Sequence, residues 1–153
     1  MKINDIEMRI PTVDDAAKLK SLDELCFPEQ VQYGKIEFLY LLTRTDVISY
    51  VIEQKTKLLG FIMTSIEETK LSANIITIDV HPKYRRQGIG TRLLTAAETE
   101  LKKLNVTEAT LQVDINNDPA VKFYRKKGYV IRGQIDNYYP AQDAYLMSKR
   151  IWD

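Results

Sequence analysis

The chain has little of several features that mark particular classes of protein. Its 153 residues include one cysteine, so no disulfide can form within the chain. The net charge is only +1, whereas proteins that bind nucleic acid usually present a strongly basic face. No apolar run approaches the roughly 20 residues that span a bilayer, and the first residues lack the apolar segment of a signal peptide. We therefore expect a cytoplasmic protein that binds neither a membrane nor a specific nucleic acid.

The composition and length of the chain predict one folded globular domain. Hydrophobic residues make up 44% of the chain and charged residues 28%, which is typical of soluble globular proteins. The length fits one domain over residues 1–153. Alternating and helical patterns follow one another in the order β-α-α-β-β-β-α-β-α-β-β. This order predicts an α/β (α+β) protein, with a mixed central sheet of about seven strands flanked by about four helices.

Two of these predictions are specific enough to be checked by residue. The second helix is expected over residues 35–43, with Ile36, Leu39 and Tyr40 on one face. The last two strands are expected to be joined by a loop over residues 136–143.

The most informative stretch is residues 80–91, where an apolar strand turns into a long helix. The start of a helix leaves about four backbone N–H groups without partners and carries partial positive charge. Gly88 and Gly90 have no side chains, so an anion can approach the backbone closely. Arg85 and Arg86 can add charge-assisted hydrogen bonds. The stretch predicts a phosphate-binding turn; the alternative is a tight turn with a solvated basic rim.

Two motifs carry a resemblance to a known family. Residues 85–90 resemble the acetyl-CoA-binding motif Q/R-x-x-G-x-G/A of the GNAT acetyltransferase superfamily, and residues 117–129 resemble its second signature, N-x-x-A-x-x-F/L-Y-x-x-x-G-F/Y. Neither the P-loop nor the dinucleotide-binding spacing is present. Within the superfamily the chain looks most like the N-terminal (Nα) protein acetyltransferases, including the RimI branch. Shorter pieces at residues 26–29, 138–139 and 143–147 carry this narrower resemblance.

The resemblance implies direct transfer of an acetyl group from acetyl-CoA to the α-amino group of protein N-termini, in a ternary complex with no acyl-enzyme. Nascent chains at the ribosome are a further expected partner, and the protein is expected to be a monomer or a homodimer. The family pattern assigns the pantetheine arm and thioester to the strand before the turn, and the pyrophosphate to the turn itself. The expected cofactor-binding residues are Ile78, Asp79, Val80, Arg85, Arg86, Gln87, Gly88, Ile89, Gly90, Thr91, Asn117 and Tyr124.

The family pattern also implies chemical roles for individual side chains. Tyr124 is expected near the sulfur, as a general acid toward the departing thiolate. An α-amine has a pKa of about 7.7–8.0 and must lose a proton to attack, and Glu29 is the first candidate for its general base. The alternative for Glu29 is an exposed loop carboxylate. The expected substrate-binding residues are Phe27, Pro28, Glu29, Tyr33, Gln112, Tyr138 and Tyr139; no residue is assigned to a metal.

The sequence departs from the family where some members carry ionisable groups. Gln112 and Ala73 stand where some members of this branch have a histidine and a tyrosine, and a glutamine cannot act as a base near neutral pH. A thiol nucleophile built on Cys26 and His81 is rejected, because a lone cysteine on an apolar helix face usually packs in the core. Asp79 is expected to face the opposite side of the sheet from its neighbours.

Other functions stay open at this point. One is acetylation of lysine side chains, polyamines or another small amine. The other is a non-catalytic CoA-binding sensor or assembly subunit.

Overall fold

The computed structural model describes residues 5–151, in which a seven-stranded sheet is combined with four α-helices. The strands are β1 (Ile6–Arg9), β2 (Val47–Gln54), β3 (Lys57–Ile66), β4 (Ser72–Val80), β5 (Glu108–Asp114), β6 (Val130–Tyr139) and β7 (Gln142–Arg150). The helices are α1 (Ala16–Cys26), α2 (Lys35–Thr43), α3 (Ile89–Lys103) and α4 (Asp118–Lys126). Short 3-10 turns lie at Val13–Asp15, Glu29–Val31 and Pro82–Tyr84. No helix within residues 5–151 is long and apolar enough to cross a membrane.

The strands run in the order β1-β2-β3-β4-β5-β7-β6. Neighbouring strands are antiparallel except β4 and β5, which are parallel and are connected through α3. The predicted mixed sheet with helices on its faces is therefore confirmed.

The sheet separates two hydrophobic cores. On one face, Leu93, Leu94 and Leu101 of α3 pack against the strands, together with Tyr129. Burial of a side chain of this size contributes roughly 1.5–3 kcal/mol. Gly60 lets α3 approach the sheet, because a Cβ there would lie 2.9 Å from Cγ2 of Ile89 at the start of that helix.

The second core lies under α1 and α2, and it corrects the predicted helix faces. Phe38 is the buried residue of α2 and contacts Phe61 edge-on, whereas Ile36 and Tyr40 are 82% and 58% exposed. Six of the nine residues of α2 are apolar or aromatic and they lie all round the helix, so periodicity alone could not choose its core face. Leu25 of α1 is also exposed.

A second correction concerns the end of the chain. The stretch 136–143, expected to be a loop, continues strand β6 as far as Tyr139, and β7 begins at Gln142. Only two residues form the turn, and Ala141 has a φ of 59°. Because proline fixes a negative φ at Pro140, the positive φ of the next residue matches a type II turn.

Strand β4 contains one extra residue. Met63 pairs with Thr77 and Thr64 pairs with Ile75, so Ile76 has no partner on β3. Such a bulge moves the residues beyond it to the other face of the sheet. Accordingly Ile75 and Ile78 both pack with the α3 core, while Ile76 packs with the α1–α2 core.

Candidate active site

The site begins where the two parallel strands part. The ladder between β4 and β5 ends at Ile75 and Leu111, although β4 stays paired with β3 and β5 stays paired with β7 beyond this point. The N–H of His81 donates to the Leu59 carbonyl at 2.8 Å. Because bonding residues alternate in an antiparallel ladder, the backbone of Ile78 faces the open edge rather than β3. A wedge with unused backbone groups therefore opens between the ends of the strands.

The turn after β4 leaves room for an anion at the start of α3. Gly88 has a φ of 84°, and a Cβ there would meet nothing within 4 Å. The first backbone bond of the helix runs from Arg92 N–H to the Gly88 carbonyl at 3.0 Å, so the N–H groups just before Arg92 have no helical acceptor. The left-handed glycine and these free N–H groups fit the phosphate groups of a cofactor.

The two arginines of this turn are placed differently. Nε of Arg85 donates to the Val80 carbonyl at 3.1 Å, which ties the turn back to the end of β4. Arg86 is exposed and has a φ of 61°. The guanidinium of Arg86 is therefore free to reach a phosphate, whereas that of Arg85 holds the turn against the end of β4.

Helix α4 closes the wedge from the other side. Asn117 caps it, with Oδ1 accepting from Ala120 N–H at 3.3 Å. Phe123 packs on the start of α3, since its Cζ would lie 3.3 Å from a Cβ at Gly90. Tyr124 is 8% exposed, and its hydroxyl makes no hydrogen bond within residues 5–151. Burial raises the pKa of Tyr124, and Asp79 and Tyr139 add smaller effects in the same direction.

One wall of the acceptor cleft is the segment between α1 and α2, residues 27–34, which we call the acceptor loop. Nε2 of Gln32 donates to the Phe27 carbonyl at 2.9 Å, which closes the loop on itself. Pro28 and Glu29 are exposed, and Glu29 begins a 3-10 turn with no side-chain hydrogen bond among the described residues. Glu29 therefore lies free at the surface of the loop.

The opposite wall is the end of the β6–β7 hairpin. The rings of Tyr138 and Tyr139 meet edge-on, 4.8 Å between centroids, and the Tyr138 hydroxyl donates to Oε1 of Gln112 at 3.4 Å. Burial, aided by Tyr138 and Asp114, raises the pKa of Tyr139 to about 12. The pKa of Tyr33 is raised by burial and further by both hairpin tyrosines. The two walls therefore approach each other, and the substrate tyrosines lie on a strand end rather than in a loop.

A buried acidic pair beneath the cleft was missed by the sequence interpretation. Asp79 faces away from the wedge, as predicted, and meets Asp23 of α1; both residues are 0% exposed. A signal was present, because Leu19, Leu22, Asp23 and Cys26 follow the i, i+3, i+4, i+7 spacing of a core-facing stripe. An acid within such a stripe points to a buried carboxyl group.

Cys26 and His81 do not form a nucleophilic pair. The Cys26 thiol donates to the Val80 carbonyl at 3.4 Å, and burial raises its pKa to about 12. A thiol that keeps its proton is a poor nucleophile. Nδ1 of His81 accepts from Lys83 N–H at 3.1 Å and so starts the 3-10 turn.

The parallel strands part beside a helix start that can bind an anion, and a cleft with two walls opens there. This arrangement is that of an enzyme that holds a phosphate-bearing cofactor beside an acceptor substrate. Residues 16–129 match the model of the Acetyltransferase (GNAT) family. The chain belongs to this family. The predicted fold, N-acetyltransferase activity and use of acetyl-CoA are thereby confirmed.

Similar proteins agree with the narrower resemblance. An N-alpha-acetyltransferase of Sulfurisphaera tokodaii is 29% identical over 96% of this chain and 94% of its own length. The [Ribosomal protein bS18]-alanine N-acetyltransferase of Escherichia coli is 31% identical over 63% of this chain and 64% of its own. The crystal structure of Ard1 from Thermoplasma volcanium superposes with a TM-score of 0.89 at 25% identity, covering 97% of this chain and 99% of that one.

Proposed function

We propose that the chain transfers the acetyl group of acetyl-CoA directly to the α-amino group of protein N-termini in the cytoplasm, including those of nascent chains at the ribosome. The observation that supports this most is the position of the cleft, whose two walls meet where β4 and β5 part. An extended peptide end can enter between the acceptor loop and the hairpin. Relatives that span nearly the whole chain are named for the same chemistry.

When bound, acetyl-CoA supplies an acetyl thioester. The N–H groups of residues 89–91 and the guanidinium of Arg86 hold its pyrophosphate, as helix starts and arginines do elsewhere. The backbone groups of Ile78 and the N–H of Val80 point to the open edge and hold the thioester arm, and the arm takes the place of the missing strand partner. Asn117, at the start of α4, supports the same arm from the other side of the wedge.

Glu29 removes the proton of the incoming amine, directly or through a water molecule that Gln112 orients. An α-amine with a pKa of about 7.7–8.0 is already partly neutral at neutral pH. An exposed carboxylate therefore needs to accept a proton only from the fraction of amine that is still charged. The amine nitrogen then bonds to the carbonyl carbon, the carbon–sulfur bond breaks, and the electron pair of that bond leaves with the sulfur. The nitrogen gives its second proton to water and becomes the amide nitrogen.

Tyr124 stabilises the departing sulfur. A thiol has an ordinary pKa near 8.5, whereas burial raises the pKa of Tyr124 above its usual value. The phenol therefore keeps its proton and donates a hydrogen bond to the thiolate, which then takes a proton from water. This is a narrower role than full proton transfer by a general acid.

An acetyl-transfer assay on a peptide library tests the proposal. The library varies the first two residues, with lysines blocked, and mass spectrometry locates the acetyl group. A matched set carries a blocked N-terminus and one free lysine. Transfer to the α-amine of the first set is expected. Transfer to lysine only would overturn the proposal, and calorimetric binding of acetyl-CoA without transfer to any amine would favour the sensor.

A further inference from the structure

Two carboxyl groups lie side by side beneath the cleft, between helix α1 and strand β4. Asp23 and Asp79 are both 0% exposed. Oδ2 of Asp23 accepts from Tyr33 N–H at 2.8 Å, and Oδ1 of Asp79 accepts from the Thr77 hydroxyl at 2.6 Å. The remaining oxygens, Oδ1 of Asp23 and Oδ2 of Asp79, are buried and receive no hydrogen bond from any donor group in residues 5–151. The two carboxyl groups are within hydrogen-bond reach of each other.

Two ionised carboxylates cannot lie side by side in a buried site unless positive charge or a proton offsets their repulsion. Like charges at this separation raise the pKa of one member of a pair strongly. The nearby cations compensate little of this charge, because Nε of Arg85 is bonded to the Val80 carbonyl and Nζ of Lys20 is paired with Glu24. One proton between the two unpartnered oxygens satisfies both of them. The titratable groups that act on the pair from the surrounding elements are Lys20, Cys26, Tyr33, Glu37, Arg85 and Tyr124.

We infer that Asp23 and Asp79 share one proton, and that the resulting carboxyl–carboxylate hydrogen bond fixes the acceptor loop against the strand that holds the thioester. The connection runs from β4 through Asp79 and Asp23 to the N–H of Tyr33. This hydrogen bond joins the acceptor loop to the strand proposed to hold the thioester arm. Asp23 and Asp79 act here as positioning residues, and the effect on acetyl transfer rests on the function proposed above.

The sign of the pH dependence follows from the direction of the shift. Burial, and next the neighbouring Asp23, raise the pKa of Asp79 well above its usual value. The folded chain therefore holds a proton that the unfolded chain has lost at neutral pH. The free energy of unfolding falls as pH rises from about 4, the ordinary pKa of aspartate, up through the raised pKa of the pair.

Infrared spectroscopy tests the shared proton without any assay of activity. The wild type should show the C=O stretching band of a protonated carboxylic acid at neutral pH. Asp79→Asn and Asp23→Asn should each lose this band, because an amide N–H replaces the shared proton. The fall of stability with rising pH should also be shallower in Asp79→Asn than in the wild type. Absence of the band from the wild type, or its persistence in both variants, would overturn the inference.

Peptide kinetics test the positioning role. Asp23→Ala removes the contact with Tyr33 and should raise the KM for peptide about tenfold, with little change in the KM for acetyl-CoA. Asp23→Asn keeps both hydrogen bonds and should stay close to the wild type, as should Glu24→Gln on the exposed side of the same helix. Equal effects of the alanine and asparagine variants would overturn the role.

Two controls keep the outcomes separate. If Asp23→Ala does not fold, Asp23→Ser takes its place, since a serine hydroxyl fills part of the space but is too short to bridge both contacts. If the wild type acetylates no peptide, the proposed function fails, while the infrared band still decides whether the proton is shared.

Discussion

The cofactor end and the acceptor end of the cleft are built from different parts of the chain. At the cofactor end the groups proposed to bind are mostly backbone N–H and C=O groups, at the edge of β4 and the start of α3. At the acceptor end the proposed groups are side chains from two segments far apart in sequence, the acceptor loop and the β6–β7 hairpin. A backbone site requires glycines at fixed spacing, so it leaves a readable motif. A side-chain site requires only that two segments meet in space, so it leaves almost none.

The largest expected effect breaks the cofactor end alone. Gly88→Glu forces a side chain into a left-handed position and adds a negative charge where the pyrophosphate binds. The KM for acetyl-CoA should rise about 100-fold, equivalent to one lost charged hydrogen bond of about 3 kcal/mol. Gly133→Ala is the matched control, because a Cβ there also meets nothing within 4 Å. Unchanged cofactor affinity in Gly88→Glu would show that the phosphates bind elsewhere.

The second-largest effect is expected at Tyr124, which lies between the cofactor end and the acceptor end of the cleft. Tyr124→Phe removes the only polar atom of a buried side chain and should lower kcat about 10- to 100-fold, with little change in either KM. Steady-state rates with both substrates varied measure this. Tyr50→Phe, on strand β2 away from the cleft, serves as the control. A kcat equal to that of the wild type would remove Tyr124 from the chemistry.

A smaller effect sharpens the acceptor end. Glu29→Gln should lower kcat/KM for peptide about tenfold near neutral pH. The loss should shrink as pH rises past the pKa of the α-amine, about 7.7–8.0, because the amine then needs no base. A pH series of initial rates, with Glu24→Gln as the control, measures it. A loss that is the same at every pH would mean that Glu29 binds the peptide rather than removing a proton.

The smallest effect returns to the cofactor end. Arg86→Ala should raise the KM for acetyl-CoA only about threefold, because an exposed ion pair is worth roughly 0–1 kcal/mol. Added salt should reduce the difference from the wild type, since the charge of Arg86 is open to solvent. Titrations of acetyl-CoA at low and high salt measure this, with Arg92→Ala, an exposed arginine of α3, as the control. A difference that does not respond to salt would contradict a charge contact.

The contrast between the two ends also explains which predictions held. The element order and the glycine turn follow from local patterns, and the structure has them where the sequence indicates. The core face of α2 was wrong because apolar residues lie all round that helix, and the hairpin end was wrong because Asn137 and Pro140 look like loop residues. Asp23 was missed because its partner lies 56 residues further along the chain, as its position and that of Asp79 show.

The extra residue in β4 makes the register of this strand decisive. If Ile76 took the place of Thr77 opposite Met63, every later side chain of the strand would change sides: Ile78 would turn toward α1, and Asp79 would enter the α3 core. Removal of Ile76 would instead leave Thr77 to Val80 opposite the same residues of β3, so their faces would not change. Alignments of relatives should therefore accept a one-residue gap at this point. In a scan of single-residue deletions, loss of Ile76 should cost less folded protein than loss of Leu111 from β5, which pairs with both neighbours without a bulge.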